Sequence, residues 1–421
     1  PLALYFYLIG FPISGLLGGL IGTFAYEYLI RTGVGRVDTD VLQLFFLFLT
    51  GVFVLQASKA RKIVYILIYS GLAGYTTYLL TEWWGKHFFI LPFAAVLILS
   101  LWAYPQTNND QLRDQRDLKL VHRLASLKLR LSVSSIALGF FLVCGSGFHV
   151  SDLLDENLYT PGTQYIKERL GMEDSIELIG IEPDALPNVV EFPNAIKTVT
   201  ETTNFNILGS LNLLLKSPTL SAAGLISFLI FFVLHWRKLI PIILIFFVGA
   251  LTFYSSRRFA IFLAPFVGIG YGFMVTIIVR WAFEFFHTLG PKTGTRESPR
   301  FGHYSKQLSC LSRHRLREYA NYCVAALFFL SITSKTAIGL VPKPSVPIQN
   351  YSSFLYLRDN LPTRSAIYTW WDYGYALTEI TGHATFHDGG NQNTPKTFFI
   401  AQSFLSDSQD ELYNTINYLT S

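Results

Sequence analysis

This sequence predicts a mainly α-helical, polytopic membrane protein that continues into the start of a mixed α/β external domain, on three observations. Of its 421 residues 51% are hydrophobic and only 14% charged, with a mean hydropathy of +0.36, whereas a soluble domain carries about 25% charge. Apolar runs recur along the first 340 residues, each about long enough for a bilayer core of ~30 Å. Basic residues gather in alternate connections between those runs, the pattern of the positive-inside rule.

The runs occupy 4–29, 41–57, 63–80, 88–104, 130–148, 219–235, 239–254, 259–279 and 319–338, which predicts about nine spans within a membrane domain at 1–340. The basic connections are Lys59, Arg61 and Lys62; then Arg113, Arg116, Lys119, Arg123, Lys128 and Arg130; then Arg237 and Lys238; then 280–318, where eight Lys and Arg face Glu284, Glu297 and Glu318. These four are placed in the cytoplasm. The alternate connections are then external, near 31–40 and 149–216, and the second of these holds eleven acids between Asp152 and Glu201 against Lys167, Arg169 and Lys197. An odd number of spans puts residues 341–421, the beginning of a soluble domain, on the external side.

The formal net charge of +5 is carried mostly by these orienting residues, so no nucleic-acid partner is expected. Cys144, Cys310 and Cys323 show neither a disulfide framework nor metal-ligand spacing. The chain opens at Pro1 inside an apolar run and stops at Ser421 in an amphipathic pattern (Leu412, Ile416, Leu419) after a Ser408 to Glu411 capping box. A piece of a longer protein is expected.

Four constellations carry chemistry. In the soluble segment, Trp370, Trp371, Asp372, Tyr373 and Gly374 follow one another; two indoles offer flat apolar faces with one donor each, and the carboxylate is a pure acceptor. Such a cluster can hold a small hydroxyl-bearing side chain, and an aromatic plug at a domain seam is its plainer reading. At an external mouth, Arg31 and a Gly-rich turn precede Asp38 and Asp40. Carboxylates at i and i+2 suit a hard divalent cation; Asp40, just before an apolar run, also suits a helix cap. Glu201 lies in a Thr-rich run that ends the long external loop, where a solvated surface carboxylate is the ordinary expectation. Finally, Arg257 and Arg258 stand between two apolar runs on the external side. Arginines there read as snorkelling anchors, but the positive-inside rule disfavours that face, and an anionic diphosphate would account for them.

The Trp370 to Gly374 run, in an external domain after a polytopic membrane region, resembles the signature of the oligosaccharyltransferase catalytic subunits, the STT3/AglB/PglB family, and its bacterial branch most closely. The Arg31 to Asp40 segment, Glu201, Arg258 and the Asp388-Gly389-Gly390 run come in family order, so the resemblance extends over nearly the whole chain. It implies a membrane glycosyltransferase of the GT-C type. The activity implied is en bloc transfer of an oligosaccharide from a polyprenyl pyrophosphate carrier to the side-chain amide of Asn in Asn-X-Ser/Thr, assisted by Mn²⁺ or Mg²⁺. Asp38, Glu201 and Arg31 would then be catalytic, with Asp38 and Glu201 as metal ligands and Asp40 supporting the shell; Arg258 would contact the lipid-linked pyrophosphate, and Trp370, Trp371, Asp372, Tyr373 and Gly374 would bind the acceptor sequon. Its partners would be the lipid-linked oligosaccharide, acceptor polypeptides and membrane lipids, and the expected setting is a single-subunit enzyme of a bacterial inner membrane with its site on the periplasmic side.

The sequence also departs from the family. A further acidic metal ligand is expected upstream of Pro1, the region 105–128 is polar where relatives carry additional spans, and Leu213 falls where bacterial members place an arginine that reads an acid before the acceptor Asn, with Lys216 nearby as a substitute. Two rivals share the composition. A secondary transporter would carry ionisable groups within its spans. Another polyprenyl-dependent glycosyltransferase would have the acidic external loop without a reason for the tryptophan pair.

Overall fold

The computed structural model describes residues 1–32, 40–84, 89–103, 119–147, 206–289, 302–336, 346–390 and 393–420. They fall into two compact units, one within 1–340 and the other within 341–421.

The first unit is helical: α1 (Leu2–Leu8), α2 (Pro12–Thr23), α3 (Tyr26–Thr32), α4 (Asp40–Lys59), α5 (Ile63–Trp84), α6 (Ile90–Ala103), α7 (Lys119–Gly145), α8 (Ile207–Leu215), α9 (Pro218–Leu239), α10 (Ile243–Ala250), α11 (Ala260–Leu289) and α12 (Gly302–Thr336). Every apolar run of the sequence lies on one or more of these helices. Among the described residues four helices are long and apolar enough to cross a membrane, or five if the bent pair α2 and α3 is one span. The chain is therefore an integral membrane protein.

Two of the apolar runs differ from the helices, and a third region agrees with them only through a bend. The run 4–29 is not one rod: the chain bends by 57° between α2 and α3, where Thr23 Oγ1 donates to the Gly19 carbonyl at 2.8 Å at the end of α2. The run 88–104 yields only 14 helical residues, whereas α7 begins at Lys119, well before its apolar stretch. The stretch Pro218–Phe253 passes as a single helical span, yet the rings of Phe228 and Phe246 lie 5.0 Å apart. Eighteen residues of straight helix would separate them by about 27 Å. The chain therefore folds back near His235, which leaves helical geometry at φ −129°, and α9 and α10 form a hairpin as the two runs predict.

Helix α11 is the centre of the unit: 78% of its most apolar window is buried, against 33% for Pro218–Phe253. Its close packing on α2 requires glycine. A Cβ at Gly268 would stand 2.4 Å from the Leu17 carbonyl oxygen, and one at Gly272 2.4 Å from Ser14 Cα, so this four-residue glycine spacing lets two apolar helices meet along their backbones. Lys59 at the end of α4 and Lys238 in the α9–α10 bend both donate to carbonyls that end α1, on Leu8 at 2.9 Å and Ile9 at 3.2 Å. Two connections that the charge pattern assigns to one side thus meet at one end of the bundle, and Asp40 starts α4 about 30 Å away at the other.

The second unit holds α13 (Ile348–Asn360), β1 (Ala366–Ile367), α14 (Trp371–Thr381), β2 (Ala384–Thr385), α15 (Thr394–Leu405) and α16 (Gln409–Thr420). β1 and β2 pair in parallel, Ala366 with Ala384 and Ile367 with Thr385, and α14 is the crossover between them. Gly382 ends α14 in the left-handed region at φ 72°, a conformation that a Cβ would strain. Ser408 caps α16 by accepting from the Glu411 amide at 3.3 Å, but the Glu411 carboxylate receives the Ser406 hydroxyl at 2.5 Å, so the capping box is only half reciprocal.

Candidate functional site

At one end of the helical unit α3, the start of α4 and the short 3-10 turn Arg257–Phe259 come together around Asp40. Its side chain is wholly buried. Oδ2 accepts from Arg31 Nη1 at 3.0 Å and Oδ1 from Arg258 Nη2 at 3.0 Å. Arg31 is buried as well, at 1% exposure, while Arg258 keeps 34% of its side chain open. Each charge also suits its helix end: Arg31 lies in the last turn of α3 and Asp40 in the first turn of α4, where the macrodipole favours that sign. Tyr28 ties the same two helices together, donating its hydroxyl to the Val41 carbonyl at 2.9 Å. Ser256 Oγ accepts from the Arg258 amide at 3.2 Å and starts the turn. Beside this group Arg257 Nη2 meets Glu27 at 3.2 and 3.4 Å, and the Lys216 ammonium lies over the Tyr26 ring at 3.3 Å.

Of the residues singled out in the sequence, Arg31, Asp40 and Arg258 are therefore brought together, and Arg257 stands alongside. Asp38 and Glu201 lie outside the described residues. Asp40 is an anchor for two guanidinium groups, one on each oxygen. Among the described residues no group of three His, Cys, Asp or Glu side chains could hold a metal ion. Leu213 is buried in the core beside Leu214 and Leu215 on α8, and Lys216 follows in the left-handed conformation at φ 53°.

In the second unit the tryptophan pair stands where β1 gives way to α14. Trp370 is the N-cap residue in extended geometry, Trp371 the first helical residue, and Asp372 falls in the first turn, which favours a carboxylate. Partial burial pushes the Asp372 carboxyl above its ordinary pKa, and the neighbouring Trp370 side chain opposes the rise. The rings of Trp370 and Trp371 lie 6.4 Å apart. Trp371 Nε1 is buried without a hydrogen-bond partner, so the two indoles do not both donate to Asp372 here.

The end of β2 lies beside this motif. His387 is fully buried, its ring edge-on to Trp370 with centroids 5.9 Å apart, and its Nε2 pairs with Thr397 Oγ1 at 3.1 Å. A Cβ at Gly374 would stand 2.5 Å from the His387 carbonyl oxygen and 2.5 Å from Asp388 Cβ, which explains why the motif ends in glycine. Tyr373 turns to α13, its ring edge-on to Phe354 at 6.1 Å. Asp388 Oδ1 accepts from the Gly390 amide at 2.8 Å and shapes the turn after β2.

Residues 363–418 match the STT3/PglB/AglB core domain, and that match contains the whole tryptophan motif with the turn around His387. Over that segment the chain is similar to this family. A dolichyl-phosphooligosaccharide-protein glycotransferase of Methanococcus voltae is 21% identical over 96% of this chain and 50% of its own length. An undecaprenyl-diphosphooligosaccharide-protein glycotransferase of Campylobacter jejuni is 27% identical over 38% of this chain and 19% of its own. The solved oligosaccharyltransferase AglB of Archaeoglobus fulgidus, in complex with an inhibitory peptide and a dolichol-phosphate, covers all of this chain with 56% of its own length at a TM-score of 0.54 and 13% identity, a likeness of fold. The chain spans about half the length of the Methanococcus relative and of that structure. Archaeal and bacterial proteins both match, so the resemblance is not confined to the bacterial branch.

The sequence reading passed over Glu27 and His387. For Glu27 the signal was present, an ionisable residue inside an apolar run. For His387 there was none, since a histidine after a short strand has no pattern of its own.

Proposed function

We propose that the chain carries the membrane part and the first external part of an oligosaccharyltransferase, which moves an oligosaccharide en bloc from a polyprenyl diphosphate to the amide nitrogen of Asn in Asn-X-Ser/Thr. The observation that carries this reading is the buried, unpartnered indole N–H of Trp371, in the same first helical turn as Asp372. A buried donor left unpaired costs about 1–3 kcal/mol, and a hydroxyl bound against it would relieve that cost while donating its own proton to Asp372. A site of that kind accepts Ser or Thr and rejects Ala.

In the helical unit, Arg258 would meet the carrier. Its guanidinium is partly open and Asp40 fixes its direction, so its exposed edge can meet diphosphate oxygens. Arg31, buried against the other Asp40 oxygen, is a positioning residue. Asp38 and Glu201 are the proposed ligands for Mn²⁺ or Mg²⁺, which when bound would offset the charge of the leaving diphosphate. The relatives' names and the peptide and dolichol-phosphate bound to the Archaeoglobus enzyme support these partners. A site on the external, periplasmic side of a bacterial inner membrane is the setting proposed from the loop charges.

The test is mass analysis of a peptide incubated with the membrane protein and a polyprenyl-diphosphate oligosaccharide. Addition of the whole oligosaccharide to an Asn-X-Thr peptide, and none to the same peptide with Gln for Asn, supports the reading. Addition of a single sugar from a polyprenyl monophosphate would instead show the rival glycosyltransferase.

A further inference from the structure

Glu27 has no role in the reaction proposed above, yet its setting is demanding. It lies on α3, its side chain is 1% exposed, and an ionised carboxylate withdrawn from water in a membrane protein is costly unless paired. Both of its oxygens face one nitrogen, Arg257 Nη2, at 3.2 and 3.4 Å. Arg257 directly precedes Arg258 in the turn Arg257–Phe259. Four residues after Glu27 on α3, Arg31 meets Asp40, and Asp40 meets Arg258. One short helix therefore grips two consecutive residues of the turn, Arg257 directly through Glu27 and Arg258 through Arg31 and Asp40. The turn is only three residues long, and arginine side chains lose much rotamer freedom when held in one direction. It needs such a grip to present one of them in a fixed direction.

The geometry points to Glu27 as a positioning residue: by holding Arg257 it fixes the turn so that the Arg258 guanidinium faces both Asp40 and an incoming diphosphate. The inference rests on the diphosphate reading of Arg258. It differs in sign from simple electrostatics. Arg257, Arg258 and Lys216 already make this rim basic, so removing the Glu27 charge would strengthen attraction for an anion if charge alone mattered. Positioning demands the reverse.

The experiment measures binding of farnesyl diphosphate, a short polyprenyl diphosphate probe, to the full chain in detergent, with binding of an Asn-X-Thr peptide as the second readout. Arg258→Gln tests the underlying reading and should weaken probe binding. Glu27→Gln should also weaken it, roughly tenfold for a guanidinium misplaced by about 1 Å, despite the added positive charge, and leave peptide affinity unchanged. Arg257→Gln should act alike, and the double variant Glu27→Gln with Arg257→Gln should lose no more than either single, because both act through one contact. Unchanged or tighter probe binding by Glu27→Gln, with Arg258→Gln impaired, overturns the inference and leaves the reading standing. Normal binding by Arg258→Gln overturns both. If the single variants fail to fold, the double variant, which buries no unpaired charge, carries the test: wild-type probe affinity there overturns the inference.

Discussion

Asp40 and Arg258 form a 3.0 Å ion pair across 218 residues of sequence, which ties the start of α4 to the turn that precedes α11. The same carboxylate neutralises Arg31, so a single buried acid balances two arginines. Removing one partner from a buried pair commonly costs about 3–5 kcal/mol because the remaining charge is stranded. Asp40→Ala should therefore lower stability by about that amount and loosen Arg258. Thermal unfolding in detergent checks it, and a change below about 1 kcal/mol would mean that solvent reaches Arg31.

Chelation addresses the carboxylates proposed to hold a metal. Asp38→Ala and Glu201→Ala should each reduce turnover by about 10²-fold or more, the scale of lost charge stabilisation in a transition state. A chelator should abolish transfer, and Mn²⁺ or Mg²⁺ should restore it. Turnover that survives both chelation and Asp38→Ala removes the metal from the reaction.

Much of this architecture was legible in the sequence because membrane helices are written in composition. The runs at 41–57, 63–80 and 259–279 became α4, α5 and the core of α11, and the two runs around Arg237 and Lys238 foretold the hairpin that Phe228 and Phe246 demonstrate. The break between α2 and α3 was not legible, since Phe24 and Ala25 continue the apolar pattern and only local hydrogen bonding ends the helix. In the site, the residue types at Arg31, Asp40 and Arg258 were recognised from their places at the mouths of spans. Their mutual pairing was not, because contacts across 218 residues leave no trace in spacing. Trp370 and Trp371 announced themselves by rarity, whereas the buried, unpartnered N–H of Trp371 depends on the turn between β1 and α14.

His387 predicts a pH dependence. Burial lowers its pKa, Lys396 lowers it further, and Asp388 acts in the opposite direction. Thr397 and Lys396 reach it from α15, and Asp388 follows it in the chain. Its Nδ1 is buried without a partner, so a proton there would have no acceptor. In the unfolded chain the group titrates near its ordinary value of about 6.5. Above that pH neither state is protonated and the full stability is present; as pH falls through the window down to the lower folded value, the unfolded chain gains a proton first and stability declines. The slope can reach about 1.4 kcal/mol per pH unit. His387→Gln should flatten the difference in stability between pH 7 and pH 5 relative to the parent, as read by chemical denaturation. An identical pH profile in the two proteins would show that the imidazole binds its proton equally in the folded and unfolded chain.

The last prediction separates recognition from packing at Trp371 and Asp372. Trp371→Phe removes an indole N–H that costs stability while unpaired, and the same change gives up some buried ring area. These effects oppose each other, so the folded chain should change by no more than about 1 kcal/mol. Recognition has no such compensation. With the donor gone the acceptor hydroxyl has one partner fewer, and Asp372→Ala removes the acceptor; a site built around a hydroxyl loses discrimination when either is absent. Both variants should bind an Asn-X-Thr peptide at least about tenfold more weakly and reduce the preference for Thr over Ala two positions after Asn, with the affinity for a polyprenyl diphosphate unchanged. Tyr373→Phe, whose ring packs edge-on against Phe354, should bind like the parent. If Trp371→Phe and Asp372→Ala keep the preference for Thr, the indoles serve only to pack the start of α14, and the hydroxyl is read elsewhere.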